Sequence, residues 1–166
     1  MSLLLLASYF IPTAHVGATT EDPAYDQIIE RGSLIVGLSP DYAPYEFYAE
    51  VDGKQKIVGF DISVAKKIAE DLGIELEIEA MGFDALLGAL QTGKIDLIIS
   101  GMSPTPERLK EVSFSKSYMT IEQKLLIRKE NKDLLASIED FDGLSVAVQK
   151  QSTQEELTLS EMSNAS

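Results

Sequence analysis

The sequence predicts an α/β fold built on a mainly parallel sheet flanked by helices, and two kinds of pattern support it. Short apolar runs typical of buried strands begin at Leu34, Ile74 and Ile95. Segments whose apolar residues recur every three or four positions lie between successive runs. The order strand, helix, strand, helix, strand favours a parallel sheet, in which ligands bind outside the carboxyl ends of the strands.

A short helix is predicted to open the fold, and a central strand follows it. Asp22 precedes Pro23, which places a capping side chain before a proline at the first helical position. Arg31-Gly32 has the basic residue and the glycine that end a helix. Residues 34–38 are then continuously apolar, as expected of a strand that is covered on both faces.

The middle of the chain predicts a turn, a helix and a second strand. Asp52-Gly53 marks a tight turn. A helix over residues 60–72 is expected to bury one apolar face, and Gly73 ends it. The residues of that face are spaced four apart: Phe60, Val64, Ile68 and Leu72. Residues 74–79 alternate apolar residues with glutamates, so we expect a strand with one buried face.

A second helix and several later elements complete the prediction. Asp84 is expected to be the N-cap of a helix that ends at Thr92-Gly93, before a buried strand at residues 95–99. Residues 124–128 and 143–148 are further strand candidates. Two more helix starts are expected at Ser137, which caps a short helix through Phe141, and at Ser152 or Thr153, where the spacing to Glu155 or Glu156 is that of a capping box.

Composition and charge exclude several classes of function. The chain has 166 residues and is 45% apolar, which is enough for one globular domain with a core. Its formal net charge of −13 disfavours nucleic acid and acidic lipid as partners. There is no cysteine and a single histidine, His15, so we expect no disulfide, no metal site and no cofactor.

The N-terminus has the pattern of a signal peptide over residues 1–18, followed by a linker and the opening helix over residues 19–32. Residues 3–11 are apolar, a run too short to span a bilayer but suited to an h-region, and Ala18 suits the cleavage site. The basic residues usual before an h-region are absent, and a buried N-terminal helix is the alternative. The prediction is an extracytoplasmic protein.

A ligand site is predicted where the strand at residues 95–99 ends. Ser100, Gly101 and Ser103 follow that strand, and Arg108 lies in the first turn of the next predicted helix. Hydroxyls, backbone N–H groups and a guanidinium together suit one small anion such as a carboxylate. An arginine here is usually only solvated, but a cation gains nothing from the positive end of a helix, which favours a bound anion.

Two aromatic residues are placed to cover such a ligand. Tyr42 lies in the loop after the first strand, and Phe83 lies at the exit of the next one. Either ring could form a wall over a ligand. The alternatives are that Tyr42 packs in the core and that Phe83 packs as a hydrophobic staple onto Leu87.

The segment from Ser33 to Glu156 resembles the first three fifths of an amino-acid-binding protein of the ABC-transporter type, a family 3 solute-binding protein with the periplasmic-binding-protein type 2 fold. The motifs follow in the family's order: Pro44-Tyr45-Glu46-Phe47, Gly59-Phe60-Asp61, Phe83-Asp84-Ala85-Leu86, the stretch 95–103, Pro106-Glu107-Arg108 and Phe114-Ser115. The resemblance divides the chain into a first ligand-binding lobe, residues 33–128, and an incomplete second lobe that starts with residues 129–166.

The resemblance also implies roles for the candidate residues. In similar proteins the residue matching Arg108 grips the α-carboxylate of an amino acid, helped by backbone N–H groups that match Ser103 and Thr153. Ser100, or the carbonyl beside it next to Gly101, matches a group that accepts a hydrogen bond from the α-ammonium. The resemblance also makes Tyr42 and Phe83 the two aromatic walls of the site.

The same resemblance implies the partners and the mode of action. A free amino acid is bound by the closure of two lobes, and the closed form is recognised by an ABC-transporter permease in the membrane. We expect a monomer that binds its ligand without catalysing a reaction.

Three departures from the family pattern refine these expectations. Ser39 stands where relatives that take cationic side chains have aspartate, which favours a neutral or polar amino acid. Gln151 stands where many relatives have glycine, which is costly if the backbone there needs a positive φ. Most of the second lobe is missing, so we expect amino-acid affinity to be weaker than micromolar.

Two alternatives stay open from the sequence. The fold also hosts a dehydratase of cyclohexadienyl acids, in which Arg108 would hold the substrate carboxylate. A dehydratase also needs a carboxylic acid that protonates the leaving hydroxyl, and no residue is clearly positioned for that role. Asp41 and Glu46 lie near the rim, but they have the pattern of loop carboxylates. The second alternative is the extracellular binding domain of a fused permease or sensor, which would need apolar spans beyond Ser166.

Overall fold

The structure, a computed structural model, describes residues 22–162 and contains two three-stranded sheets. The α-helices are α1 (Pro23–Arg31), α2 (Phe60–Leu72), α3 (Leu86–Gln91) and α4 (Thr153–Glu161). The strands are β1 (Ser33–Leu38), β2 (Asp41–Tyr42), β3 (Glu46–Val51), β4 (Lys54–Val58), β5 (Glu75–Ala80) and β6 (Leu97–Ile98). Short 3₁₀ turns lie at Phe83–Ala85, Arg108–Lys110, Lys129–Asn131 and Ile138–Phe141.

The parallel sheet has the strand order β5-β1-β6, as the alternation of strands and helices predicted. β1 is the central strand and pairs with β5 along its whole length, from Ser33 opposite Glu75 to Leu38 opposite Ala80. It pairs with β6 only through Val36 and Gly37. All three strands therefore end at one edge of the sheet, and the predicted site loops follow β1, β5 and β6 at that edge.

Helices pack on both faces of this sheet. Leu34 and Val36 of β1 contact a cluster that contains Ala65 and Ala69 of α2. Ile35, which points to the opposite face because side chains alternate along a strand, packs against the cluster formed by α3 and Ile95. The core members on that second face are Leu86, Ala89 and Ile95. The flanking of a parallel sheet by helices is thereby confirmed.

The three strands β2, β3 and β4 form a separate antiparallel sheet inserted between β1 and α2. The predicted turn at Asp52-Gly53 joins β3 to β4, and both residues have positive φ, 55° and 70°. Two positive φ values match the turn type that joins tight hairpins. This hairpin carries the Pro44-Tyr45-Glu46-Phe47 block to the edge where β1 ends.

Several helix caps formed where the sequence predicted them. Asp22 accepts a hydrogen bond from the backbone N–H of Ala24, and Gly32 ends α1 in the left-handed region. Gly73 ends α2 in the same way. Ser137 and Asp140 form a capping box, and Ser152 caps α4 by accepting from the N–H of Glu155. These caps satisfy N–H and C=O groups that helix ends leave unpaired.

Three predictions about helix faces and starts were wrong. Phe60 is half exposed and its ring lies beside that of Tyr118, whereas Asp61 is fully buried. The reason is that the first turn of α2 faces the Pro44-Tyr45 loop and not the apolar face of the sheet. Asp84 is not an N-cap, since it lies inside a 3₁₀ turn and its carboxylate pairs with Lys150 at 2.9 Å. The prediction of a helix at Arg108 is also reduced to a single 3₁₀ turn.

Neither strand candidate of the later segment forms a strand. Residues 124–128 and 143–148 are irregular in the structure, and Leu126 is fully exposed. Within residues 22–162 no neighbouring strand pairs with them, and a strand needs a partner for its backbone N–H and C=O groups. The boundary between two lobes at residue 128 stays a prediction.

The predicted signal peptide and most of the linker lie outside the described residues. Among residues 22–162, no helix combines the length and the apolar character that crossing a bilayer requires.

Candidate functional site

The floor of the candidate site is formed where β1 and β6 end side by side. The backbone N–H of Ser39 donates to the Ser100 hydroxyl at 3.0 Å, and that hydroxyl donates to the Glu46 carboxyl at 2.7 Å. All three residues are buried. The Ser39 hydroxyl donates to the Asp41 carboxylate at 3.1 Å. The loop after β1 and the end of β6 are therefore joined by a continuous hydrogen-bond chain.

Tyr42 and Gly101 meet beside this floor. A Cβ on Gly101 would lie 3.1 Å from the Tyr42 ring, so the small residue allows the aromatic ring to approach the turn. Gly101 has a φ of 55°, a conformation that glycine adopts without strain. Its backbone N–H donates to Asp61 at 2.9 Å, which leaves Gly101 as a shaping residue for this turn.

Arg108 is the buried cation of the site. Only 8% of its surface is exposed, and its guanidinium donates to the backbone carbonyls of Ser103 at 2.7 Å and Gln151 at 2.8 Å. None of the ion pairs found among residues 22–162 includes Arg108. Burial lowers the pKa of Arg108, and the nearby charge of Glu156 raises it. A buried guanidinium that forms no ion pair among these residues has the chemistry to receive an anion.

Phe83 lies against the same guanidinium. The centre of its ring is 5.5 Å from the Arg108 Cζ atom, within the range of a cation–π contact. The 3₁₀ turn that follows β5 places the ring there. The structure thus brings Phe83 and Arg108, both predicted to line one ligand site, into direct contact with each other.

The later segment reaches this site through three polar contacts. Gln149 donates to the Asp41 carboxylate at 3.0 Å, Lys150 pairs with Asp84, and the Gln151 carbonyl accepts from Arg108. Lys150 lowers the pKa of Asp84, and Asp84 raises the pKa of Lys150. These contacts place Thr153, the first residue of α4, two residues from the Arg108 contact.

The backbone at Gln151 has the conformation that the comparison with glycine-bearing relatives suggested. Its φ is 59°, in the left-handed region that costs a residue with a side chain about 1 kcal/mol. Both of its backbone contacts, to Glu155 and to Arg108, depend on that conformation. The glutamine is accommodated with its side chain exposed.

Replacing Gln151 by glycine is therefore expected to raise the free energy of unfolding by about 1 kcal/mol, because glycine adopts a positive φ without steric cost. Denaturant unfolding measures the change. Gln154→Gly, inside α4, is the matched control and is expected to lower stability by about 1 kcal/mol. Equal destabilisation by both variants would contradict the strain at Gln151.

An open depression of about 380 Å³ adjoins the floor. It is lined by Ser39, Pro40, Asp41, Tyr48, Ala80 and Met81, which follow or face the ends of β1 and β5. Its size is in the range of sites for small molecules. Among the residues that the structure describes, no cluster of three or more histidine, cysteine or acidic side chains has the arrangement of a metal site.

The structure gathers the predicted site residues around one edge of the sheet and adds others that sequence reasoning missed. Ser39, Tyr42, Ser100 and Gly101 meet at the floor, and Phe83 and Ser103 contact the Arg108 guanidinium. No hydrogen bond found among the described residues joins Thr153 to Arg108, and Thr153 follows two residues after Gln151, which does contact it. The missed residues are the buried acids Glu46 and Asp61 and the contact residues Gln149 and Lys150. Asp41 and Glu46 were interpreted as loop carboxylates, but Glu46 is 1% exposed at the start of β3.

The signal for Glu46 was weak, because Tyr48 and Glu50 follow it at the alternating positions of β3 and both are exposed. The pattern of the strand therefore assigns Glu46 to a solvated face. The carboxyl group is buried by elements distant in sequence, among them the end of the neighbouring strand, which brings Ser100 over it.

A family model described as bacterial extracellular solute-binding proteins, family 3, matches residues 34–164. Over 126 residues the chain is 44% identical to the arginine-binding extracellular protein ArtP of Bacillus subtilis, and the match covers 76% of this chain and 47% of that protein. The chain thus spans about half the length of this curated relative. The curated relatives that it resembles include extracellular and periplasmic binding proteins.

Solved structures agree with the fold. An amino acid ABC transporter substrate-binding protein, AbpA, from Streptococcus pneumoniae, solved bound to L-arginine, matches with a TM-score of 0.83 and 44% identity over 85% of this chain and 60% of its own. The ancestral amino acid-binding protein AncCDT-1, a precursor of cyclohexadienyl dehydratase, matches with a TM-score of 0.78 and 42% identity over 84% and 61%. The resemblance drawn from the motifs is confirmed, and the chain belongs to the family 3 bacterial extracellular solute-binding proteins.

Proposed function

We propose that this chain is part of the solute-binding component of an amino-acid ABC transporter and captures a free amino acid for delivery to a membrane permease. The observation that carries the proposal is Arg108, a buried guanidinium held by backbone carbonyls and without a carboxylate partner among the described residues. A ligand carboxylate supplies the missing charge. The Arg108 guanidinium has five N–H donors, and two of them bind the carbonyls of Ser103 and Gln151. The remaining donors are available to a carboxylate.

The surroundings of Arg108 suit the two charged groups of an amino acid. The α-carboxylate faces the guanidinium and the N-terminal backbone of α4 at Thr153, with the backbone at Ser103 beside it. The α-ammonium faces the Ser100 hydroxyl at the floor. Tyr42 and Phe83 cover the ligand from two sides and exclude water, which strengthens both charged contacts.

A binding titration of the full chain against the common free amino acids tests this proposal. We expect one amino acid to raise the unfolding temperature at millimolar concentration, as a ligand that binds only the folded state must. The chain spans about half the length of the curated relative ArtP, so we expect the affinity of this stretch alone to be weaker than micromolar. If no amino acid stabilised the chain, the proposal that this chain captures an amino acid would be refuted.

Two neighbouring residues, Ser39 and Asp41, bear on which class of ligand side chain the site accepts. Ser39 has no charge, and this favours a neutral or polar amino acid. Asp41, however, bonds to the Ser39 hydroxyl and lies on the lining of the open depression, so the site retains a negative charge. The relatives named for arginine favour a basic side chain placed beside Asp41.

Asp41→Asn separates these two ligand classes. If the ligand is basic, removal of the charge is expected to weaken binding by about 1 kcal/mol, roughly five- to tenfold, because the carboxylate is exposed and partly screened. If the ligand is neutral, affinity should stay within about twofold. Isothermal titration of both ligand classes measures the difference, and Asp26→Asn in α1 removes the same charge away from the site as a control.

The geometry favours binding over dehydration of an acid. Glu46 has a pKa raised to about 8, burial being the largest cause, and is thus a candidate proton donor at neutral pH. Its side chain, however, is 1% exposed beneath Ser100, so it cannot reach a substrate in the depression. We therefore assign this chain a binding role.

We also propose that the chain acts as a monomer in the extracytoplasmic space, to which the predicted signal peptide exports it.

A further inference from the structure

Two buried carboxyl groups lie directly beneath the turn that follows β6. Glu46 is 1% exposed and Asp61 is 0% exposed. Neither belongs to any ion pair found among residues 22–162. For Glu46, burial without a cationic partner favours the protonated form.

The hydrogen bonds around these acids leave one atom without a partner. Glu46 Oε1 accepts from the Ser100 hydroxyl, whereas Oε2 has no donor among the described residues. Asp61 accepts from the Gly101 N–H at 2.9 Å and from the Tyr118 hydroxyl at 3.4 Å. The two acids thus bind adjacent residues of one turn, and the charge of Asp61 raises the pKa of Glu46. Two carboxylates repel each other, so this proximity is favourable when Glu46 carries a proton.

We infer that Glu46 carries a proton, which it shares with the Asp61 carboxylate through a hydrogen bond, and that this acid pair positions the turn at residues 100 and 101. The Ser100 hydroxyl of that turn thereby presents an acceptor to the ligand. A proton on Glu46 satisfies the unpartnered oxygen and removes the repulsion in a single step. Glu46 and Asp61 are positioning residues, because they act on a ligand only through Ser100 and Gly101. The part that concerns the ligand rests on the proposed function.

The direction of the hydrogen bonds explains the selectivity of the turn. The Ser100 hydroxyl donates its one hydrogen to Glu46 and accepts from the Ser39 N–H, so it can only accept a further hydrogen bond, from a ligand. The Gly101 N–H already donates to Asp61. The turn therefore favours an ammonium and disfavours a carboxylate, which orients an amino acid with its carboxylate towards Arg108.

The shared proton predicts a pH dependence. Burial first of all, and then the charges of Asp61 and Asp41, raise the pKa of Glu46 to about 8, against the lowering effect of the Ser100 hydrogen bond. The other titratable groups that face it are Tyr42 and Tyr118, whose pKa values are raised by burial, so both stay neutral below pH 8. The folded chain thus keeps a proton that the unfolded chain loses at its ordinary pKa of 4.5.

Stability should therefore fall as the pH rises between about 4.5 and 8, because the folded state binds more protons than the unfolded state in that window. Glu46→Gln mimics the protonated acid, with an amide that donates to Asp61 and a carbonyl that accepts from Ser100. In this variant we expect that fall to be absent. Glu50→Gln, an exposed position on the same strand, is the matched control and should keep it.

Infrared spectroscopy of the ligand-free chain tests the shared proton directly. At about pH 6 we expect the carbonyl band of a protonated carboxylic acid in the wild-type chain and in Glu50→Gln, and its loss in Glu46→Gln. An unchanged band in Glu46→Gln, or no such band in the wild-type chain, would overturn the acid pair.

Ligand affinity tests the positioning role. Ser100→Ala and Glu46→Leu, which remove the acceptor and its support, should each weaken amino-acid binding by about tenfold, and the double variant should lose no more than either. Glu46→Gln should stay within about twofold. A tenfold loss in Glu46→Gln, with its fold intact by thermal unfolding, would overturn positioning. If the wild-type chain bound no amino acid, the proposed function would fail, and the infrared band alone would decide the acid pair.

Discussion

Replacing Arg108 by alanine is expected to lower amino-acid affinity by at least about 100-fold. A carboxylate held by two charge-assisted hydrogen bonds gains about 1.5 to 3 kcal/mol from each, and 1.4 kcal/mol corresponds to a factor of ten. The guanidinium is buried, so water does not replace it well after truncation. Isothermal titration with the amino acid that stabilises the wild-type chain measures the loss.

The comparison with lysine separates charge from geometry at this position. Arg108→Lys keeps the charge, but it loses the planar fork that reaches the Ser103 and Gln151 carbonyls and the ligand together. We expect an intermediate loss of affinity. Lys110→Ala removes an exposed cation from the same 3₁₀ turn and serves as the control. Equal affinities for wild type and Arg108→Ala would rule out Arg108 as the carboxylate receptor.

Gly59→Ala is expected to destabilise the fold by about 3 kcal/mol or more. Gly59 has a φ of 136° and a ψ of −178°, a region that residues with a Cβ essentially do not adopt. A Cβ there would overlap the Tyr45 carbonyl oxygen and lie 2.9 Å from that of Pro44. Backbone strain and overpacking each cost about 1 to 3 kcal/mol, which lowers the unfolding temperature by roughly 10 °C in a chain of this size.

The overlap also breaks the contact that holds the hairpin sheet to α2. The N–H groups of Phe60 and Asp61 donate to the Pro44 and Tyr45 carbonyls at 3.1 and 2.9 Å, and both bonds require the backbone to pass close by at Gly59. Gly88→Ala is the matched control. Nothing lies within 4 Å of its added Cβ, and alanine is the better helix former, so this variant should be more stable by about 0.5 to 1 kcal/mol. A Gly59→Ala variant as stable as wild type would refute the close approach.

Local signals predicted the frame of the fold. The caps at Asp22 and Ser152, the left-handed glycines after α1 and α2, and the apolar run of β1 depend on residues adjacent in sequence, and each was found where expected. That several candidate site residues lie close together was predicted for a related reason. Loops that follow parallel strands meet at one edge of the sheet, so residues as distant as Ser39 and Ser100 become neighbours.

The rest depended on contacts that sequence patterns do not encode. Glu46 and Asp61 are polar residues in patterns of solvated positions, and only the crossing of β3, α2 and the β6 turn buries them together. Phe60 fits the apolar spacing of α2, yet it lies beyond the edge of the core. Residues 143–148 have the composition of a buried strand, but composition does not provide the neighbouring strand that such a segment needs.

Arg108 touches both the β6 side of the site, through Ser103, and the later segment, through Gln151. Under the proposed function, one cation serves two equilibria, the docking of the later segment and the capture of a carboxylate. If an amino acid draws the guanidinium into the geometry that also holds Gln151, each event must favour the other by the same factor. Substitutions that loosen residues 149–151 should thus weaken ligand binding without touching the ligand, and a bound amino acid should protect that segment from proteolysis.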